Sequence, residues 1–395
     1  MTNLSLTDAK KKYPVALYSF LRVTNAAQAM ARFLKDSSSN PTLAYPASLT
    51  VKRADRQLGL LEAELTHTDD AEVKKFLQHR LLETRLLQQF VRFKSSTVSA
   101  AQLKAYRADM LALYGPINKQ YFNGVMTYLH ASAQSQHETA ALAALAEVRW
   151  QSAALPAPDQ QTFLYYRRML RHHLSEAFGP IPDGTDPADA IGAALRATGL
   201  AGVGWRVRRV PHATNIAVSR HGKTVNVGEH YRPESAFRLR QVIAHEVYGH
   251  ARRFNASHRT ASGWDEEGLA IVYEQLLARR FMYKRMLRYA ALCLAWGADG
   301  VTRDFATTHR LMVPIVRLVS GRSSAAARRI AFKEVLRAFR GGNPNVPGMV
   351  LTKDKIYLES NLMVWQYLID NKLDEPAFAR LVDGQGSVPR KERME

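Results

Sequence analysis

Apolar residues recur every three to four positions over most of this chain, the period of a helix with one buried face. Residues 51–95 carry it through Leu58, Leu61, Leu65, Phe76, Leu81, Leu86 and Phe90. Residues 1 to about 35 read as helical up to a break at Asp36-Ser37-Ser38-Ser39-Asn40-Pro41, and Tyr114-Gly115-Pro116 predicts a turn with another helix after it. The helical pattern returns over 138–178, interrupted at Pro156 and Pro158. His172 and His173 are adjacent, so they point different ways on a helix and read as surface residues. After the loop Gly179-Pro180-Ile181-Pro182-Asp183-Gly184 and a short helix over about 186–198, the texture changes. Val203 to Val210 alternates apolar with basic, the period of a half-buried strand. Asn215–Ser219 and Lys223–Val227 flank His221-Gly222 and predict a β-hairpin. Helical periodicity resumes from Pro233, placed near a helix start where its missing N–H costs nothing, and continues through 301–340. Gly341 to Gly348 is a loop, and the tail from Asp383 on is expected to fray.

The fold class is therefore α+β, predominantly helical, with a small antiparallel sheet over 203–228. A helical region spans 1–178 and a second region spans 179–395. A hydrophobic content of 46% supports a substantial core. The single cysteine, Cys293, excludes an internal disulfide and any cysteine-based metal cluster, which favours a reducing, cytoplasmic setting. Met1 to Lys12 has no apolar signal region, and no uncharged apolar run approaches a membrane span.

A net charge of +20 changes the picture by pointing to acidic partners. Much of the arginine lies near one segment, with Arg238, Arg240, Arg252 and Arg253 around it and Arg279, Arg280, Arg285 and Arg288 beyond. Two readings stay open, a solvated basic face and a cleft that prefers acidic peptides. Nucleic acid remains a possible partner, although no zinc knuckle, RNA-binding signature or helix-turn-helix pattern is evident.

The segment in question is His245-Glu246-Val247-Tyr248-Gly249-His250. Two imidazoles with a carboxylate beside the first are the parts of a zinc hydrolase: the rings hold the metal and Glu246 handles the proton of the attacking water. The usual spacing of four turns a helix by about 400°, so both rings share a face, whereas five turns it by about 500°. The motif works only if the helix widens locally into a π turn, which closes i to i+5, and Gly249 eases that distortion. A third ligand is expected from Trp264-Asp265-Glu266-Glu267-Gly268-Leu269-Ala270, which starts a second helix, with Ser262 and Asp265 as a weak capping pair. Two histidines and one glutamate leave a coordination position open, the catalytic pattern. Glu266, Asn255 or Asp265 are candidates to orient a ligand histidine.

Together the two segments resemble the family with a Gln/Glu-Glu-Gly-Leu-Ala motif, which includes the microtubule-associated tyrosine carboxypeptidases. The match is His245-Glu246-x-x-x-His250 followed by Glu266-Glu267-Gly268-Leu269-Ala270. Weaker echoes are Asn40-Pro41 with Tyr45-Pro46, Leu113-Tyr114-Gly115, Phe339-Arg340-Gly341, and Thr352-Lys353-Asp354 with Tyr357-Leu358. Ser360 stands where the family pattern has glycine. The resemblance implies a gluzincin-like metallopeptidase core in 179–395, with a metal helix over 233–254 and a glutamate helix over 265–285. It implies one Zn2+ held by His245, His250 and Glu267, with Glu246 as catalytic base, and removal of a C-terminal residue, an aromatic one among the candidates, from a protein tail. Tyr357 is a candidate oxyanion donor, and Lys353 and Arg340 are candidates for binding the substrate carboxylate. The five-spaced motif with a later Glu-Glu pair is also similar to dipeptidyl-peptidase III, an aminopeptidase alternative. A third reading is a basic nucleic-acid-binding or regulatory protein with a structural metal site.

Overall fold

A computed structural model describes residues 4–13, 21–46, 50–94, 97–211, 213, 215–219, 222–256, 263–279, 281 and 283–389. The expectations that rest on Ser262, His221 and Arg280 lie outside the described residues. Two compact units emerge, each built from two stretches of chain. One comprises Met1–Ala154 and Lys284–Lys355, the other Leu155–Tyr283 and Ile356–Glu395. This differs from a division at 178/179. Helical period reports that a face is buried but not which distant helix buries it, so a chain that leaves a unit and returns looks continuous.

The chain opens with helices α1 (Leu6–Lys12), α2 (Ala26–Lys35), α3 (Val51–Thr66), α4 (Ala71–Phe93), α5 (Ala100–Tyr114), α6 (Lys119–Ser135) and α7 (Thr139–Ala146). The periodic run 51–95 is thus two helices. Asp70 starts the second by accepting from the backbone N–H groups of Glu72 and Val73. Ser99 and Gln102 form a reciprocal capping box on α5. After the second unit the chain returns with α13 (Tyr283–Trp296), α14 (Phe305–Ser320) and α15 (Ser324–Phe339). The core of this first unit gathers Phe33, Phe305, Phe332 and Phe339, with His309 edge-on to Phe33 at 4.8 Å.

The second unit begins at α8 (Gln160–His173), capped by Asp159, and α9 (Pro187–Ala197), capped by Asp186 with Pro187 in the first turn. His172 pairs with Glu375 and His173 lies 2.9 Å from Asp383. Three strands follow, β1 (Arg206–Val210), β2 (Ile216–Ser219) and β3 (Thr224–Gly228), in the order β1-β3-β2. The β2–β3 hairpin is present, with Ile216 opposite Val227. The sheet is mixed rather than antiparallel, because β3 inserts between the other two and runs parallel to β1, with Arg206 opposite Thr224. Alternation along β1 marks a strand but leaves its partner unspecified.

Helix α10 (Ala236–Ile243) runs into a π-helix (Ala244–Ala251) and out through α11 (Arg252–Ala256). Ser235 caps α10 by accepting from the Arg238 N–H, so Pro233 precedes the helix instead of opening it. Helix α12 (Gly263–Ala278) ends at Arg279, whose φ of 55° breaks the expected continuation to 285. Helices α16 (Ile356–Asn371) and α17 (Glu375–Val382) complete the unit. Leu269, Ile271, Val272 and Leu276 of α12 are fully buried, each worth about 1.5–3 kcal/mol of apolar burial. Gln275 is buried too, and it is satisfied by Asn361 and by the Trp365 indole N–H at 2.7 Å. Helix α12 is thus the central rod of this unit. No helix among the described residues is long and apolar enough to cross a membrane.

Candidate metal centre

The five-residue spacing of the histidines is accommodated by the π turn that the sequence requires. The Arg252 N–H bonds back to the Val247 carbonyl, five residues earlier, and the two imidazoles end up edge to face with centroids 4.8 Å apart. Gly249 serves a further purpose. A Cβ there would lie 2.5 Å from the Ala270 Cβ, so the π turn rests directly on α12. On the other side of α12, a Cβ on Gly268 would lie 2.4 Å from the Ser360 carbonyl oxygen of α16. Glycine and alanine in Glu-Glu-Gly-Leu-Ala are therefore contact residues, one for α16 and one for the π turn. Ser360 fits at this crossing because its hydroxyl turns back to the Ile356 carbonyl of its own helix.

These contacts bring the three expected ligands together. His245 Nε2 lies 3.2 Å from His250 Nε2; Glu267 Oε1 lies 3.4 Å from the first ring nitrogen and Glu267 Oε2 3.5 Å from the second. A tetrahedral ion with donors at 2.0–2.2 Å sets edges between donors of roughly 3.3–3.6 Å. The separations are close to such edges, with each histidine facing a different oxygen of Glu267, and the group can hold a metal.

The outer nitrogens complete the arrangement. His250 Nδ1 is 2.7 Å from Glu266 Oε1, and His245 Nδ1 is 2.8 Å from Glu274 Oε1. A carboxylate only accepts, so a neutral His250, hydrogen-bonded to Glu266, keeps its proton on Nδ1 and turns the Nε2 lone pair inward, and Glu274 lies at ion-pair distance from His245 Nδ1 to favour the same tautomer. Arg238 reaches the other oxygen of Glu274 at 3.3 Å. Glu266 is thus the acid that meets a ligand ring, whereas Asp265 faces Arg253 at 3.5 Å. Glu274 was not foreseen, although its signal is present: it lies seven residues beyond Glu267, two turns along the same face.

The electrostatics call for positive charge. Two inward lone pairs 3.2 Å apart repel unless a proton or a cation lies between them. Burial disfavours a charged His245, yet Glu267 and then Glu274 outweigh it and hold the ring well above the ordinary value of 6.5. Burial also pushes the Glu246 carboxyl up, against the pull of both histidines. Four glutamates around two imidazoles, with Arg238 on one of them, make a donor set that fits a divalent ion.

The remaining candidates are placed differently. Tyr357 is half-buried in the first turn of α16, in the same unit as the ligands. Arg340 and Lys353 belong to the other unit, where Arg340 Nη2 donates to Asp354 Oδ1 at 2.6 Å. No family model, curated protein or solved structure matches this chain.

Proposed function

We propose that this chain is a zinc-dependent peptidase that removes a C-terminal residue from a peptide or protein tail, with acidic substrates preferred. One observation carries the reading: His245, His250 and Glu267 converge within 3.5 Å of one another, their rings backed by carboxylates, beside a glutamate raised by burial. Two imidazoles and one carboxylate with an open fourth position are the donor set of a hydrolytic zinc site. Bound there, zinc supplies Lewis acidity, polarising the scissile carbonyl and acidifying a water molecule.

The chain's own residues do the rest. Glu246 takes the proton of the attacking water and returns it to the leaving amine, and burial, by raising its pKa, makes it the stronger proton acceptor. Glu266 and Glu274 keep the rings in register through the reaction. Tyr357 is the candidate donor to the developing oxyanion. The edge strand β2 packs against the π turn, and such an edge can pair with an extended peptide by main-chain hydrogen bonds. Arg340, which also donates to Asp354, and Lys353 are the resemblance's candidates for the substrate carboxylate. The exopeptidase direction rests on the motif resemblance.

The test is mass spectrometry of a defined peptide library incubated with wild type and with Glu246→Gln. Loss of single C-terminal residues, blocked by C-terminal amidation and absent in the variant, is expected. Release of N-terminal dipeptides would replace this reading with an aminopeptidase, and no zinc-dependent cleavage would overturn it.

A further inference from the structure

The second unit carries another concave site, on the β1 side of its sheet. Helix α9, β1 and the intervening turn enclose a cavity of about 520 Å³, lined by Ala188, Asp189, Arg196, Trp205, Arg206 and Val207, with Arg209 at its edge. Arg209 is satisfied by Asp186 at 2.6 Å, and Asp189 adds to the negative charge it feels. Arg196 and Arg206 are exposed and have no acidic partner among the described residues. The Arg196 guanidinium lies back over Gly192, where a Cβ would meet its Nη1 at 3.5 Å, and so stays on the cavity side of α9. The independent observation is Trp205. It is only 3% exposed, yet its indole Nε1 has no hydrogen-bond partner among the described residues. An indole N–H can only donate, and leaving one buried and unmet costs about 1–3 kcal/mol.

We propose that this cavity binds a carboxylate-rich, extended peptide segment. Beside the buried, unmet Trp205 N–H, the two forked guanidinium groups of Arg196 and Arg206 outnumber the one free lining carboxylate, Asp189, which suits carboxylate oxygens. β1 is an edge strand, so a peptide lying along it gains main-chain pairing as well. Nucleic acid is the less favoured occupant, because the one aromatic residue here is buried and offers no face for a base to stack on. The proposal deepens the preference for acidic substrates and rests on the peptidase reading for its purpose, though not for its test.

The test is fluorescence anisotropy with labelled octaglutamate, run on the full chain as wild type and as Glu246→Gln. Both are expected to bind alike. Arg196→Glu and Arg206→Glu should each weaken binding about tenfold or more, the loss of a charge-assisted bond. Trp205→Phe removes the N–H and shortens the buried ring, so its melting temperature is expected to fall; measured below that melting temperature, it should weaken binding severalfold. Arg208→Glu makes the same charge change on β1 outside the cavity and should leave affinity within about twofold, because an exposed charge acts weakly at a distance. An equal loss in Arg208→Glu would overturn the site in favour of general surface charge. Displacement of octaglutamate by an oligothymidine of equal charge at lower concentration would overturn it in favour of nucleic acid. Binding without any cleavage would refute the peptidase reading and leave this one standing.

Discussion

Gly249 and Ala270 meet at the point where the π turn lies on α12, with room between them for hydrogen but not for a methyl group. Everything at the metal centre depends on that approach, because His245 and His250 come from one partner and Glu267 from the other. Gly249→Ala must push the two apart. We expect a loss of about 1–3 kcal/mol in stability from overpacking, together with weaker metal binding. Gly268→Ala should destabilise by a similar amount at the α16 contact. Urea unfolding with and without added zinc reads both.

Glu246 stands apart from the ligand set. Glu246→Gln is expected to retain one zinc per chain and to lose about 10²–10⁴-fold in turnover, the usual contribution of a general base. Metal analysis of the purified variant beside its kinetics separates loss of chemistry from loss of metal, and normal turnover would remove Glu246 from the mechanism.

The paired acids of α12 have different jobs and should separate on substitution. Glu267→Ala removes a ligand and should abolish stable metal binding. Glu266→Gln and Glu274→Gln leave the ligands in place and should weaken zinc by about 10–100-fold, the range for partners that orient a ligand histidine. Competition against a chromophoric chelator gives all three numbers. If Glu266→Ala alone lost the metal, the ligand would have been assigned to the wrong member of the pair.

His309 provides a pH signature within the first unit. It is buried, packs edge-on to Phe33 and shares a hydrogen bond of 3.0 Å with the Arg328 carbonyl; burial lowers its pKa below the ordinary 6.5. The unfolded chain therefore takes up this proton at a higher pH than the folded one. Stability should be full above about pH 6.5 and should fall as pH drops from there towards the folded pKa. His309→Gln should flatten that limb of a plot of urea midpoint against pH.

Much of the centre was legible because spacing is a physical constraint. Histidines five apart cannot share a face of an ordinary helix, so the π turn could be inferred before any coordinate. Glu266 beside Glu267 could be read as ligand and support only as alternatives, since neighbouring residues on a helix start point about 100° apart and only packing decides which faces the metal. Glu274 and Arg238 sit seven residues from Glu267 and His245, on the same faces two turns away, and a search at that interval would have found both. The pairing of β1 with β3 and the return of α13 to α15 to the first unit were not legible, because each depends on partners far away along the chain. Pro233 misled for a smaller reason: Ser235, two residues on, makes the better cap.

The two-part construction of the second unit sets an order of events during synthesis. His245, His250 and Glu267 leave the ribosome well before α16, the helix whose Ser360 backbone receives Gly268 and whose Trp365 and Asn361 satisfy Gln275. Between them the ribosome must deliver the whole returning stretch of the first unit, about 70 residues or several seconds of translation. A nascent chain therefore holds α12 without its α16 contacts until the last helices arrive.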